Sequence, residues 1–570
     1  MMSGEPADER STSTDADEQT RLLPSDAKHH NLAGLSPIRF RLICAALWSA
    51  VFLTAFDGTV VATLLSDIGS SFDASHQVAW LGTSYLLSLC CFTPIYGRLS
   101  DLLGRRNAHL IALSFFTFGT LLCGLAPSMY SLIAARVVAG IGGGGINSVS
   151  SIVMSDLVDL HHRGLFQGYV NIMFGLGAAL GGPVGGWLSD QFGWRTAFLV
   201  QVPLLLGVGV AIFAYVKVPA STSMSAHSMP EVDRGRSKFR IALSRIDVLG
   251  SFTLVVAIAT LLLSISLKTS TLSSSGEEYT WTSPLILSLL LTSLVFVSLF
   301  ILVEAYYAPS PVLPLSLLAR RTPLGVAISN FTMVTNNYSI IYNVPLYFSA
   351  VKLQSSSSAG AHLLPYSILI GGGSLFVGYI MRRTGKYWWA SISAAMCIVV
   401  SAVMLLFWNK DSPEWLTWLA PAPSGFGYSG VLTSTLVALM TSVTREGKGE
   451  IAVATSMTYM FRSIGQVLGV ALSAAIVQTV LKRDLHRLIT GPDSEELIAL
   501  IRRSTASIKD LPAGPRNAAI SAYSHAIHVV FIFNLVLSVC TVLALLIIKE
   551  EEMPRREALK PSDEEEGGGQ

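Results

Sequence analysis

Three ionisable residues stand where charge is costly. Asp57 lies near the middle of the first long apolar run, Arg136 early in the fourth and Arg462 inside the thirteenth. A charge at the centre of a hydrocarbon layer costs from about 3 kcal/mol upward, so it faces a cavity or a partner. Asp57 has no basic residue near it in its own run to neutralise it, and reads as a carboxylate for a proton or a cationic solute, with a structural carboxylate bonded to neighbouring helices as the alternative. Arg136 reads equally as a proton-relay partner or as half of an ion pair that locks helices together. Arg462 reads as a side chain that snorkels toward the headgroups, and Glu304, at the end of the eighth run, as interfacial. The ninth run carries Asn330, Asn336, Asn337, Tyr338, Tyr342 and Asn343. Amides are costly against lipid, so this face must meet other helices or a wet cavity. Asn336, Asn337 and Tyr338 are expected to line a solute cavity, with interhelical hydrogen bonding as the alternative.

The remaining chemistry is mostly excluded. No catalytic constellation appears, so the chain does not read as an enzyme. It lacks G-x-x-x-x-G-K-S/T, and its glycine run 142–145 falls inside an apolar run rather than at a phosphate loop. ATP drive is therefore unsupported. A gradient, with protons as the expected coupling ion, must supply the energy, and no cofactor is expected. The six cysteines lie in apolar runs without metal-ligand spacing, so neither a metal nor disulfides are expected.

The elements that position these residues follow from composition. The chain has 570 residues, 51% of them hydrophobic, and only 13% charged. That is about half the charge of a soluble protein, and mean hydropathy is +0.54. The net charge of +2 argues against a nucleic-acid partner; the lipid bilayer is the expected one. Windows of about 20 apolar residues, the length that spans a bilayer, give 14 candidate transmembrane helices between Phe40 and Ile548. An even number puts both termini on one side. Arg98, Arg105, Arg106, Arg163, Arg320, Arg321, Arg382, Arg383 and Lys386 then share that side, against Arg195, Lys268, Lys352 and Lys410 opposite. The positive-inside rule makes it the cytosol. The chain divides into a disordered cytosolic N-tail (1–38), a six-helix half (39–217), a cytosolic loop with helices seven and eight (218–322), and a second six-helix half (323–548). The last contains a luminal segment (482–524) with a short amphipathic helix near Ile498 and Ile501. An acidic cytosolic tail (549–570) follows.

Several motifs carry a resemblance. After the second run stands Gly97-Arg98-Leu99-Ser100-Asp101-Leu102-Leu103-Gly104-Arg105-Arg106, with Gly97 and Gly104 expected to make a tight turn. Asp101 is expected to cap a helix N-terminus or pair with a basic residue. This matches the G-x-L-x-D-x-x-G-R-R signature of the major facilitator superfamily, and a degenerate copy, 378–386, follows the tenth run. Two copies imply duplication, hence two six-helix halves plus an inserted pair, an all-α membrane fold. Asp57-Gly58-Thr59-Val60-Val61-Ala62 is similar to the first-helix motif of fourteen-span proton antiporters. Arg136 with the glycines after it is similar to their fourth-helix motif. Gly181-Gly182-Pro183-Val184-Gly185-Gly186 resembles their Gly-Pro motif, with one residue where the family has two between the proline and the glycine pair.

Within the superfamily, Asn147-Ser148, Ser155-Asp156-Leu157-Val158 and His162-Arg163-Gly164 are similar to fungal vacuolar basic amino acid permeases. The resemblance implies proton-coupled movement of Lys, His and Arg from cytosol to vacuole by alternating access. A plasma-membrane multidrug exporter and a transporter-like receptor remain as alternatives. Glu18, Leu22 and Leu23 fit an acidic dileucine signal, which favours a sorting adaptor and the vacuolar membrane. A monomer is expected.

Overall fold

The structure, a computed structural model, describes residues 35–158, 163–216, 248–270, 279–307, 315–444, 448–490 and 494–551. The elements of these residues are helices. The first seven are α1 (Pro37–Ser71), α2 (Ala79–Leu103), α3 (Arg105–Leu125), α4 (Met129–Leu157), α5 (Arg163–Phe192), α6 (Trp194–Leu199) and α7 (Gln201–Tyr215). A pair follows, α8 (Val248–Ser270) and α9 (Pro284–Tyr306). Then come α10 (Leu315–Leu318), α11 (Arg321–Ala350), α12 (Ser356–Ala361), α13 (Leu364–Thr384), α14 (Trp388–Leu406) and α15 (Glu414–Leu419). The last are α16 (Ala422–Thr444), α17 (Lys448–Leu488), α18 (Ser494–Arg503) and α19 (Ala513–Ile547).

Local chemistry sets the boundaries. Pro37 opens α1 behind the Ser36 cap, and Ser128 and Ser131 form a reciprocal capping box at the start of α4. Gly104, at φ +82°, turns the chain between α2 and α3, and Gly385, at φ +70°, ends α13 in the left-handed region. Gly97 does not make a turn as expected: it lies inside α2 with open space around it. Asp101 likewise sits in the last turn of α2 and not at the N-cap of α3, a position that Gly104 takes.

The first group packs on itself, α4 against α2 and α3, and α1 against α5. The last group does the same, α11 with α17 and α19, and α16 with α13 and α14. The α8–α9 pair lies outside, α8 touching both α2 and α17 across the seam between the groups. Direct contacts also cross from group to group: α5 meets α12 and α13, α2 meets α17, and α1 meets α11 and α12.

Eleven helical stretches among the described residues are long and apolar enough to cross a membrane. The expected fourteenfold count is not reached, because α2, α8 and α11 fall outside that set. For α11 the reason is physical. Its Asn, Ser and Thr residues lower its hydropathy, and Asn330, Asn336, Asn337, Ser339 and Asn343 are all buried against neighbouring helices rather than lipid. At the far end from Gly104, α17 runs unbroken to Leu488 and α18 turns Ile498 and Ile501 inward.

Candidate functional site

Asp57 and Arg136 form one ion pair. Arg136 Nη1 donates to Asp57 Oδ2 at 2.7 Å, with side-chain exposures of 1% and 0%. Arg136 Nε donates to the Leu81 carbonyl at 3.3 Å, and the guanidinium lies 4.2 Å over the Tyr85 ring. Thus α1, α2 and α4 meet at one desolvated point, and a cation–π contact adds to the charge pairing. Asp57 Oδ1 is buried with no protein partner. One step away, Tyr342 of α11 fills the place a side chain on Gly82 would take: a Cβ there would stand 2.4 Å from its phenol oxygen. The ion pair therefore sits at the join between the two helix groups.

A second polar cluster occupies α11, α13, α16 and α17. Arg462 Nε donates to Asn330 Oδ1 at 2.8 Å, and Asn330 Nδ2 donates to Thr435 Oγ1 at 3.2 Å and the Val326 carbonyl at 2.8 Å. Arg462 thus turns inward instead of snorkelling, because a ready acceptor lies on α11. The Tyr366 phenol donates to Asn337 Oδ1. Asn336 is buried with its Oδ1 unpartnered, and Tyr338 is half-buried. The interhelical alternative therefore describes Asn330 and Asn337, while Asn336 keeps a free acceptor.

At the face bearing Gly104, Arg105 Nε donates to Asp156 Oδ2 of α4 at 2.8 Å and its Nη1 to Ser100 Oγ at 2.7 Å. Arg106 lies 4.0 Å over the Phe213 ring. The side chains of Arg98 and Asp101 lie outside what is described, as do Glu18, Leu22 and Leu23. On the same face Tyr387 ties down the chain after α19, donating to the Lys549 carbonyl at 2.9 Å and accepting from the Glu551 N–H at 2.8 Å. Burial pushes its phenol pKa up, so it remains a donor.

The Gly-Pro stretch of α5 has two working faces. Cβ atoms at Gly177 and Gly181 would stand 2.3 and 2.4 Å from the carbonyl oxygens of Phe52 and Phe56 on α1, and one at Gly185 would meet Val60 at 2.8 Å. Those at Gly182 and Gly186 would meet the other group: the Gly360 carbonyl oxygen at 2.8 Å and the Ser357 backbone at 2.5 Å. Pro183 lies between, half-exposed inside the helix.

Between the groups, Ser356 Oγ of α12 donates to Asp67 Oδ2 of α1 at 2.7 Å; sequence reasoning did not single out either residue, and named Tyr342 only among the polar residues of its run. Asp67 lies just past the expected end of the first run, which hid it in a loop; the observed α1 runs to Ser71.

Known proteins share both sequence and fold. The Major Facilitator Superfamily profile matches residues 47–470. The chain is 37% identical to "Multidrug resistance protein fnx1" of Schizosaccharomyces pombe, over 90% of this chain and 92% of that one. It is 33% identical to that organism's "Vacuolar membrane amino acid uptake transporter fnx2", over 91% and 86%. With "Vacuolar basic amino acid transporter 2" of Saccharomyces cerevisiae it shares 31% identity over 83% and 97%. The inward-facing, unoccupied crystal structure of a bacterial homologue of the human lysosomal transporter Spinster matches with TM-score 0.61 at 13% identity. It covers 90% of this chain and 98% of that one, a likeness of fold alone. The chain is thus a multi-pass membrane transporter, and it belongs to the Major Facilitator Superfamily.

Proposed function

We propose that the protein exchanges protons for basic amino acids across the vacuolar membrane, moving Lys, His and Arg from cytosol to lumen by alternating access. The buried Asp57–Arg136 pair carries this reading. Asp57 holds Arg136 through one oxygen and leaves Oδ1 without a protein partner, so a proton or a cationic solute has an oxygen to take and competes with that guanidinium for the carboxylate's charge. Once Asp57 is protonated, Arg136 stands uncompensated and repels a second cation. Proton and solute then exclude one another, which is the requirement for exchange. The printed names of the vacuolar relatives support the solute class and the membrane.

A second reading, multidrug or toxin export at the plasma membrane, draws on the name of the 37% relative. It also draws on a cleft walled by Trp80, Leu262, Leu346, Val470 and Tyr342. ATP-dependent uptake of labelled lysine, histidine and arginine by vacuoles separates the two readings. Wild-type protein is expected to support uptake that a protonophore abolishes, and Asp57→Asn to abolish it as well. Uptake that persists in Asp57→Asn rejects the assignment of that residue, and absence of any wild-type uptake rejects the solute class.

A further inference from the structure

Arg462 is a charge at depth without an anion. Its Nε donates to Asn330 Oδ1 at 2.8 Å, and its guanidinium carbon lies 5.2 Å from the centre of the Tyr459 ring. Asn330 is fixed in that orientation, because its Nδ2 donates to the Val326 carbonyl, which can only accept, and to Thr435 Oγ1. One amide thus joins α11, α16 and α17 and turns its oxygen to Arg462. Nη1 and Nη2 of Arg462 make no hydrogen bond among the described residues, and neither is a buried atom without a partner. That edge of the half-buried guanidinium therefore faces open space. No ion pair among the described residues includes Arg462. Arg136 differs on both counts, since Asp57 balances it and it is fully enclosed.

The free edge lies to one side of the Asp57–Arg136 pair. α11 starts at the face bearing Gly104, where Thr322 Oγ1 accepts from the Lys549 N–H at 3.4 Å. Asn330 stands about 14 Å into that helix, and Tyr342, beside the ion pair, about 18 Å further, at 1.5 Å per residue. Asn336, with its free acceptor, and Tyr338 come between them, and neither carries a charge. With the Gly104 face in the cytosol, a solute entering from there passes Arg462 before it reaches Asp57.

We propose that Arg462 is the carboxylate-binding residue of this transporter: its free edge takes the α-carboxylate of the amino acid and so restricts transport to cations that carry one. The proposal rests on the amino acid reading above and names the group by which such a solute is told from a plain amine. A carboxylate matches two parallel N–H donors of a guanidinium in a charge-assisted, bidentate pair. With Nε spent on Asn330, the Nη1–Nη2 edge is the one left for that pair. The neutral amide holds the side chain in place without cancelling its charge, which a carboxylate at position 330 would do. The solute's own carboxylate supplies the anion that the fold withholds, and its cationic end is kept for the competition at Asp57. A solute without a carboxylate brings only positive charge toward Arg462 and is repelled.

The test is equilibrium binding to the full chain in lipid nanodiscs at neutral pH, with labelled arginine and with labelled agmatine, which is arginine without its carboxylate. Wild-type protein is expected to hold arginine at least about tenfold more tightly, the loss of one charge-assisted pairing. Arg462→Gln should weaken arginine to the level of agmatine, while agmatine is held as tightly as by wild type or more so. Arg462→Lys, which keeps the charge but not the fork, should keep part of the preference. Asn330→Asp, which sets a carboxylate against an unaltered guanidinium, should erase it. A merely structural role for Arg462 would weaken both ligands alike and leave their ratio unmoved. The proposal is overturned if wild-type protein binds agmatine as well as arginine, or if Arg462→Gln keeps the full preference. In either case arginine still binds to wild type, so the solute reading stands. Absence of arginine binding by wild-type protein would strike the solute reading, and the carboxylate site with it.

Discussion

The guanidinium of Arg136 gains its neutrality from a residue 79 positions away. Each partner was legible in the sequence as a costly buried charge, but their meeting was not. Helix spacing reports neighbours three or four residues apart and says nothing of contacts between α1 and α4. The pairing changes how a single substitution should be read. Removing one partner of a buried pair costs about 3–5 kcal/mol because the other is left uncompensated. Asp57→Asn should therefore lose stability as well as transport, and Arg136→Gln likewise. The double variant Asp57→Asn/Arg136→Gln is expected to melt above both single variants in detergent while remaining inactive. A double variant no more stable than Asp57→Asn would show that the pairing contributes little to the fold. Asn330 makes the complementary point: the Asn-rich run was expected to meet helices or a cavity, yet its bond to Arg462 needed the packing of α11 on α17.

At the scale of the element, α5 is instructive. Its glycines stand in sequence as one Gly-Pro motif, with nothing there to divide them. In the folded chain Gly177, Gly181 and Gly185 recur every fourth residue and admit α1, whereas Gly182 and Gly186 admit α12 and its approach. Substitutions on the two faces should thus behave differently. Gly181→Ala drives a methyl into backbone of its own helix group, and should lower the melting temperature and the amount of folded protein. Gly182→Ala meets backbone across the seam, and should leave folding largely intact while increasing labelling of the far face by an aqueous probe. Equal melting temperatures with unchanged labelling in both variants would refute the division. No pattern in the sequence alone shows which glycine faces which partner, since that depends on how α5 is rotated between them.

For the whole molecule, hydropathy and the repeated loop motif conveyed the all-helical class well, because lipid forces the backbone to satisfy itself within helices. They conveyed α11 least well, since a helix shielded by others needs no apolar surface. The placement of α8 over the seam between α2 and α17 was also invisible, being a matter of packing rather than of span length. The contrast between Arg136, buried, and Arg462, half-buried, has an electrical consequence. Arg136 is balanced by a carboxylate, so that site contributes no net charge as the two groups rock. Arg462 is answered by the neutral amide of Asn330, so α17 carries a positive charge at depth. Moving one elementary charge through a potential of 100 mV is worth about 2.3 kcal/mol. The return of the empty carrier should accordingly depend on voltage even without a pH gradient, and Arg462→Gln should flatten that dependence in proteoliposomes clamped with a potassium ionophore. An unchanged slope would place the voltage-sensing charge elsewhere; a flattened one would make the second helix group the electrical half of the transporter and the first its neutral half.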